Sequence, residues 1–258
     1  MRLINPKKIE HLIKKFFKLS DQFHLKRRAN RYFKNSTEKE IRILSQLVDS
    51  SKASIDIGVY RGVYSFFLSQ LSSYVYAFEA NPLLYRRLIS SFKNRGNVKI
   101  ENLAVSSHEG MAKLRIPLRD ANAEFDVEQK YQLGTATIHN KNNLDNLEFE
   151  TINDIKKVTL DKYKFEHEIG FLKIDVEGHE FDVIQGGYNF INTNKPVMLI
   201  EIEKRHTGQS HLEIINKIEK FGYECYIVDD DYKLQRFDNS QKATNNNFIF
   251  KPINNSHT

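Results

Sequence analysis

The stretch Ile55-Asp56-Ile57-Gly58-Val59-Tyr60-Arg61-Gly62 decides the fold of this chain. It ends a short apolar run and opens a helix-like segment, so its glycines lie where the backbone turns sharply and passes close to a ligand. Further along the chain, short apolar runs alternate with helix-like segments, which is typical of strand-helix-strand units in a parallel sheet. We therefore predict an α/β fold with this stretch at the carboxyl edge of the sheet.

Seven strands are predicted around this stretch, and we expect a mostly parallel seven-stranded sheet with helices on both faces. The last two strands have no helix between them, so they are expected to form an antiparallel hairpin at one edge. The predicted strands are residues 53–57, 74–78, 98–102, 171–174, 197–202, 225–228 and 248–250. The predicted helices are residues 63–71, 83–93, 180–191 and 212–221, and an extra strand is expected at 113–116.

The chain of 258 residues is long enough for one large domain and an additional arm. We assign residues 1–45 to a basic helical arm and residues 46–258 to the α/β domain. Residues 119–157 are polar and rich in Asn, Asp and Glu, so they are predicted to be an inserted lid or mobile segment.

The net charge of +6 is concentrated in the arm, because residues 1–34 hold 11 Lys and Arg against two acidic residues. The rest of the chain has 28 basic and 31 acidic residues, which disfavours nucleic acid as a partner. The arm is predicted to be an amphipathic helix that packs on the domain, or that binds an anionic membrane surface or a partner. Its apolar side chains at helical spacing are Ile9, Leu12, Ile13, Phe16, Phe17 and Phe23.

The chain has no apolar run of about 18 residues, and its start has no apolar run of signal-peptide length. The one cysteine, Cys225, has no second cysteine to pair with. The sequence thus predicts a cytoplasmic protein, with residues 1–34 as the segment that would contact a membrane peripherally.

The ligand of the glycine stretch is predicted from its spacing and its charge. A dinucleotide site normally has G-x-G-x-x-G, whereas this stretch has G-x-x-x-G. Asp56 would repel a pyrophosphate but would favour a ligand with an ammonium and a sulfonium group, and S-adenosylmethionine is such a ligand. The next strand ends at Glu79, at the position where a carboxylate accepts ribose hydroxyls.

Six blocks in sequence order now define a resemblance. They are Asp56-Ile57-Gly58-Val59-Tyr60-Arg61-Gly62, Phe78-Glu79-Ala80-Asn81-Pro82, Asn102-Leu103-Ala104-Val105-Ser106, Thr159-Leu160-Asp161, Lys173-Ile174-Asp175-Val176-Glu177-Gly178-His179-Glu180 and Glu201. Together they resemble the FkbM-type methyltransferases, which implies a Rossmann-like class I methyltransferase fold. The chain departs from the family pattern at Val59 and Tyr60, where Ala-Asn is usual, and at Ala80, where Pro is usual.

The resemblance and the glycine stretch imply a pocket for S-adenosylmethionine, with Asn102 to Ala104 near the adenine. Its predicted residues are Asp56, Gly58, Tyr60, Gly62, Glu79, Ala80, Asn81, Asn102 and Ala104. Methyl transfer to a hydroxyl requires alignment and a proton acceptor, and candidates should stand at strand ends facing the cofactor. The predicted catalytic residues are Asp175, His179, Glu201 and His206.

Asp175 is expected to orient the reacting groups, with His179 or His206 as the general base. Each histidine could equally be a packing or surface residue. A divalent metal held by Asp175, Glu201 and His206 is an open alternative without a dense ligand motif to support it.

The resemblance implies O-methylation of a hydroxyl on a sugar, a glycan or a small metabolite, which is the leading hypothesis for function. A nicotinamide-dependent oxidoreductase is an alternative that the missing third glycine and Asp56 disfavour. A non-catalytic binding module that keeps the fold is a third hypothesis, raised by the departure at Val59 and Tyr60.

Overall fold

The computed structural model describes residues 21–119, 130–138, 148–202, 211–238 and 246–253. The strands are β1 Ala53–Ile57, β2 Val75–Phe78, β3 Val98–Glu101, β4 Ala104–Val105, β5 Gly110–Pro117, β6 Phe149–Val158, β7 Ile169–Ile174, β8 Val197–Glu201, β9 Tyr223–Val228, β10 Leu234–Arg236 and β11 Asn247–Pro252. The helices are α1 Asp21–Asn35, α2 Leu44–Leu47, α3 Val63–Leu71, α4 Pro82–Phe92, α5 Glu180–Gly186, α6 Tyr188–Asn194 and α7 His211–Glu219. Short 3-10 turns lie at Lys39–Arg42 and Leu133–Thr135.

The main sheet has eight strands among the described residues, in the order β10-β9-β11-β8-β7-β1-β2-β3. Strands β3, β2, β1, β7 and β8 pair in parallel, and β11 lies antiparallel between β8 and β9. All seven predicted strands are present, and the predicted antiparallel pairing of the last two is that of β9 with β11.

The predicted count of seven strands is wrong, because Leu234–Arg236 adds an eighth strand beyond β9. This strand, and not the predicted hairpin, forms the edge of the sheet. It has three residues, two of them exposed and polar, so no alternating apolar pattern marks it in the sequence. Short polar strands are common at sheet edges, where they discourage pairing with other chains.

Alternate residues of each strand pack against helices on opposite faces of the sheet, as predicted. On β2, Val75 and Ala77 face a core shared with helices α1 to α4, whereas Tyr76 and Phe78 face a core shared with α5, α6 and α7. The predicted helix over residues 180–191 is two helices that meet at Gly187.

A second sheet of order β4-β6-β5 lies beside the main one. The strand predicted at 113–116 falls within β5, and residues 149–157 of the predicted insertion belong to strand β6. Residues 130–138 of the insertion attach to β5 through reciprocal backbone hydrogen bonds of 2.9 and 3.0 Å between Arg115 and Thr137. Residues 120–129 and 139–147 lie outside the described residues, so the assignment of 119–157 as a lid stays a prediction.

Helix α1 joins the domain core through Leu25 and Ala29, which are fully buried against α3 and α4. The arm's apolar side chains from Ile9 to Phe17 lie outside the described residues, and Phe23 is exposed. Among the described helices, none combines the length and the apolar character that crossing a membrane requires.

Candidate active site

A cavity of about 280 Å³ opens at the carboxyl ends of β1, β2, β7 and β8. Parallel strands bring their carboxyl ends to one edge of the sheet, so the residues that follow them meet there. Nine of the predicted site residues line this cavity, and they are Asp56, Gly58, Tyr60, Glu79, Ala80, Ala104, Asp175, His179 and Glu201. Gly62, Asn81 and Asn102 do not line it, and His206 lies outside the described residues.

Asp56 is fully buried at the end of β1. Its Oδ2 accepts a hydrogen bond of 2.5 Å from the Ser65 hydroxyl on α3, and among the described residues its Oδ1 has no donor. Burial raises the pKa of Asp56, although the Lys173 ammonium opposes this shift. A buried acceptor with one lone oxygen in a cavity wall is a position where a ligand donor or cation would be stabilised.

The two glycines of the stretch serve different contacts. Gly58 has a φ of +84°, and a Cβ on it would lie 1.7 Å from the carbonyl oxygen of Asp175. Gly62 has a φ of +79°, and its Cβ would lie 2.8 Å from the Phe92 ring on α4. Gly58 therefore lets the ends of β1 and β7 approach each other under the cavity, whereas Gly62 lets α3 pack on α4.

Glu79 links the ends of β1 and β2. It is 7% exposed, and its two oxygens accept hydrogen bonds of 2.8 Å from the backbone N–H groups of Tyr60 and Asn81. Burial raises the pKa of Glu79 to about 7, and these two N–H groups partly oppose the shift. Glu79 thus shapes the glycine loop and remains a lining carboxyl group of the cavity.

Asn81 and Asn102 position the turn that carries Glu79. The Asn81 side chain caps helix α4 by accepting a 3.0 Å hydrogen bond from the Leu83 N–H. The Asn102 amide donates to the carbonyl oxygens of Glu79 and Ala80 at 2.8 and 3.1 Å. Their side chains hold backbone, so in this structure they act on the cavity through Glu79 and Ala80.

Lys173 and Asp175 bring an ion pair into the cavity from the end of β7. Lys173 is 5% exposed, and its ammonium lies 2.9 Å from an Asp175 oxygen and 4.6 Å from the centre of the Tyr64 ring. Burial lowers the pKa of Lys173, but the carboxylates of Asp175 and Asp56 raise it more, so it lies above its ordinary value. Lys173 is therefore charged and holds the carboxylates around it.

Asp175 and Glu201 form a pair of carboxyl groups across the ends of β7 and β8. Burial, together with the charge and the hydrogen bond of Asp175, raises the pKa of Glu201 to about 10. Lys173 lies 2.9 Å from Asp175 and favours its ionised form, so the raised pKa of Glu201 favours a protonated Glu201 beside an ionised Asp175.

His179 lies at the start of α5, where it is buried and lines the cavity. Its Nε2 is 3.0 Å from the Ser106 hydroxyl, and its Nδ1 is 3.4 Å from an Asp182 oxygen. The next residue, Glu180, accepts hydrogen bonds from the Val176 and Gly178 N–H groups and so holds the turn after β7. The role of His179 as a base stays a prediction.

Among the lining side chains that sequence reasoning missed are those of Tyr32, Glu38 and Tyr64. Glu38 accepts hydrogen bonds from both tyrosine hydroxyls, that of Tyr64 at 2.7 Å. Nothing in the sequence near Tyr32 or Glu38 marks them, since they come from the region assigned to the arm. Lys173 was also missed, although a lysine in an apolar strand two residues before Asp175 lies on the same strand face and was a usable signal.

The wall opposite the strand ends comes from residues 133–138 of the inserted segment. Tyr60 has a φ of +51°, and a Cβ on Gly134 would lie 3.2 Å from the Tyr60 ring. The Arg61 guanidinium lies 5.2 Å from the centre of the same ring. The family departure at Tyr60 therefore supplies an aromatic contact between the glycine loop and the inserted segment.

In the part of the cavity wall formed by described residues, acidic side chains outnumber basic ones. The acidic ones are Glu38, Asp56, Glu79, Asp175, Glu177 and Glu201, and the basic ones are Arg61 and Lys173. Among the residues that the structure describes, no group of three or more His, Cys, Asp and Glu could hold a metal ion. The charge of the wall suits a ligand with cationic groups.

Comparison with known proteins gives one family and a set of related folds. The model of the methyltransferase FkbM domain matches residues 56–225. A methyltransferase FkbM structure from Methylobacillus flagellatus KT is 12% identical with a TM-score of 0.51, and the match covers 86% of this chain and 50% of that one. The chain thus spans half the length of that protein, and the low identity makes this a likeness of fold alone.

Two further structures match at lower TM-scores. A TehB-like SAM-dependent methyltransferase from Corynebacterium glutamicum is 11% identical, with a TM-score of 0.43 and coverage of 88% of this chain and 96% of that one. A Streptococcus mutans protein described as a methyltransferase, in complex with S-adenosylhomocysteine, is 13% identical, with a TM-score of 0.39 and coverage of 81% and 92%. A search of curated proteins gave no match.

Proposed function

This chain belongs to the methyltransferase FkbM domain family, and from this premise we propose that it is an S-adenosylmethionine-dependent O-methyltransferase. The proposed acceptor is a hydroxyl of a sugar, a glycan or a small metabolite. The observation that carries the proposal is the acidic cavity at the carboxyl edge of the sheet, with Asp56 and Glu79 buried in its wall.

The residues present fit S-adenosylmethionine on charge and on hydrogen bonding. The lone Oδ1 of Asp56 is a buried acceptor, and the sulfonium and ammonium groups of this cofactor would offset the negative charge of the wall. Glu79 would accept the ribose hydroxyls, and Ala104 would leave room for the adenine. When bound, the cofactor supplies an electrophilic methyl group.

A nicotinamide dinucleotide fits the same wall poorly. Its pyrophosphate would lie near the carboxyl groups of Asp56, Glu79 and Asp175, and like charges in a desolvated site repel strongly. The chain also lacks the third glycine of a dinucleotide loop. Both features favour methyl transfer over hydride transfer.

The proposed chemistry uses the Asp175 and Glu201 pair. As the acceptor oxygen bonds to the methyl carbon, the carbon–sulfur bond breaks and the hydroxyl proton must leave. The Lys173 ammonium favours the ionised form of Asp175, so Asp175 is the proposed proton acceptor and orients the hydroxyl, while the raised pKa of Glu201 favours its protonated form. His179 stays an alternative base, with Nε2 next to the Ser106 hydroxyl.

Ligand binding and methyl transfer test this function. In titration calorimetry we expect S-adenosylmethionine and S-adenosylhomocysteine to bind in the micromolar range and NAD not to bind at matched concentrations, because only the first two lack a pyrophosphate. Tight NAD binding without the others would contradict the proposal. Absence of binding by all three would favour a non-catalytic module.

A labelling experiment identifies the methyl acceptor. The protein is incubated with an extract of the source organism and with S-adenosylmethionine that carries an isotopically labelled methyl group. We expect the label to appear as an O-methyl ether in the product's NMR spectrum, whereas a methyl ester would indicate a carboxylate acceptor. Asp175→Asn serves as the matched inactive enzyme, since an amide cannot accept the proton. A label on nitrogen or carbon would exclude O-methylation.

The affinity for S-adenosylmethionine should rise with pH. Burial raises the pKa of Glu79 to about 7, and binding the ribose favours the carboxylate, so complex formation releases a proton. We expect affinity to increase about five- to tenfold between pH 6 and 7.5, as measured by calorimetry. Glu79→Gln should bind more weakly and lose most of this dependence; a variant that keeps the full dependence would assign it to another group.

A further inference from the structure

A second cavity, of about 480 Å³, lies beside the first between helix α1, the glycine loop and helix α4. We propose that this cavity binds a phosphate group of the methyl acceptor, so that the acceptor is a phosphorylated compound. The inference rests on the proposed function for its link to methyl transfer, whereas the phosphate site itself can be tested without it.

The wall of the second cavity is strongly basic. Of the described residues, five arginines and one histidine line it against one acidic side chain, Asp21, and these six are His24, Arg27, Arg28, Arg31, Arg61 and Arg87. A guanidinium is always charged and binds phosphate through two parallel N–H donors. Five such groups on one cavity make it a favourable site for an anion.

The arginines come from three separate parts of the chain. His24, Arg27, Arg28 and Arg31 follow a spacing of three and four residues, which places them along one face of α1. Arg61 belongs to the glycine loop, and its carbonyl oxygen lies 3.3 Å from the Arg28 Nη1, so the loop and the helix meet at this point. Arg87 reaches the cavity from α4. The fold thus assembles the cluster.

The two cavities share part of their walls and have opposite charge. Tyr60, Arg61 and Leu84 line both of them. A cationic cofactor is favoured in the acidic cavity and an anion in the basic one, so the two ligands are sorted by charge. An acceptor held by its phosphate on the arginines would extend past Tyr60 toward the reacting groups.

A compact phosphate fits these observations better than a nucleic acid. A nucleic-acid surface usually spreads Lys and Arg along a face that follows the phosphate backbone. Here the guanidinium groups converge on one cavity, and residues 35–258 hold 28 basic against 31 acidic side chains. One phosphoryl group brings about −1.5 to −2 charges near pH 7, so one or two of them would balance the wall.

The test compares two pairs of substitutions on helix α1 with the same change in charge. Arg27→Gln with Arg31→Gln removes two lining groups, whereas Lys26→Gln with Lys34→Gln removes two exposed charges outside the cavity. We expect inorganic pyrophosphate to bind the wild type and the lysine variant alike, and the arginine variant at least about tenfold more weakly in calorimetry. Equal weakening in both variants, or no saturable binding by the wild type, overturns the proposal.

S-adenosylhomocysteine titrated into the same three proteins separates this inference from the proposed function. Unchanged affinity for it in all three supports a phosphate site apart from the cofactor cavity. If the wild type binds pyrophosphate but not S-adenosylhomocysteine, the proposed function is contradicted and the phosphate site is still supported.

The source of the phosphate is distinguished in two further arms. If the wild type and the lysine variant sediment with phosphatidic acid vesicles and the arginine variant does not, the phosphate belongs to a lipid headgroup. If UDP displaces pyrophosphate and no protein sediments with the vesicles, the phosphate belongs to a soluble phosphate ester. Both results support the site. A single-stranded RNA oligonucleotide is titrated into the wild type, the arginine variant and the lysine variant. If its affinity follows the net charge of the protein and pyrophosphate does not bind, the phosphate site is overturned in favour of a nucleic-acid surface.

Discussion

Replacing Gly58 with alanine lowers the free energy of unfolding by about 3 kcal/mol or more, as the sum of a left-handed backbone and a backbone clash. The φ of Gly58 is +84°, and the new Cβ would lie 1.7 Å from the Asp175 carbonyl oxygen, which belongs to a strand end and cannot rotate away. In thermal denaturation this corresponds to a fall of about 6 to 12 °C in Tm. Binding of S-adenosylhomocysteine should weaken as well, because the ends of β1 and β7 must separate under the cavity.

Gly96 provides the matched control for this substitution. Its backbone is outside the left-handed region, and a Cβ on it would have no neighbour within 4 Å. Gly96→Ala should therefore leave Tm and ligand binding unchanged or raise Tm slightly, by restricting the unfolded chain. If Gly58→Ala had the Tm of the wild type, the close approach of β1 to β7 would not be required.

Replacing Lys173 with methionine should lower the free energy of unfolding by about 3 to 5 kcal/mol, which is typical when one partner of a buried ion pair is removed. Methionine has a similar length, so the loss is chiefly one of charge. Asp175 and Asp56 would then face each other in the buried wall without the ammonium between them. Urea denaturation measures the change directly.

Lys99→Met is the matched control, because Lys99 also stands on a strand two residues before its acidic partner. Its ammonium lies 2.8 Å from Glu101, but its side chain is 47% exposed. An exposed pair of this kind contributes at most about 1 kcal/mol. If Lys173→Met and Lys99→Met lowered the free energy of unfolding by similar amounts, burial would not determine the strength of the ion pair between Lys173 and Asp175.

The loss in Lys173→Met should also depend on pH. Burial raises the pKa of Asp56 and the Lys173 ammonium opposes this rise, so removing the ammonium moves the folded-state pKa further above the unfolded value. The folded variant then binds more protons than the unfolded chain, so its stability falls as pH rises through the range in which Asp56 ionises. The difference from the wild type is therefore larger at pH 8 than at pH 5. A difference that is the same at both pH values would contradict this account.

The fold could be predicted from the sequence because its signals are local. Apolar runs mark seven of the eight strands of the main sheet, and the bounds of β1 and α3 agree with those expected for residues 53–57 and 63–71. The eighth strand, strand β6 of the second sheet and the break between α5 and α6 escaped prediction. β10 is short and polar, and Gly187, where α5 and α6 meet, lies so close to Leu160 that a Cβ on it would be 2.8 Å from that side chain, a contact distant in the chain.

The strand ends of the candidate site were predictable for the same reason, since Asp56, Glu79, Asp175 and Glu201 each end a recognisable strand. The pKa values of these carboxyl groups were not predictable. The pKa of about 7 at Glu79 and of about 10 at Glu201 follow from burial and from neighbours that are distant in the chain. Asn81 and Asn102 occupy positions of the family motif, but their side chains form hydrogen bonds with backbone groups and do not line the cavity.

The sequence by itself determined the α/β fold, the edge of the sheet where the site lies and the family to which the chain belongs. These features could be predicted because strand ends and glycine turns depend on short runs of consecutive residues. Only the tertiary structure decided which side chains complete the site. Glu38 and Tyr64 meet beside Lys173, and the α1 arginines meet Arg61 and Arg87, through packing between segments far apart in the chain. Charge and burial depend on those distant neighbours, and no local pattern encodes them.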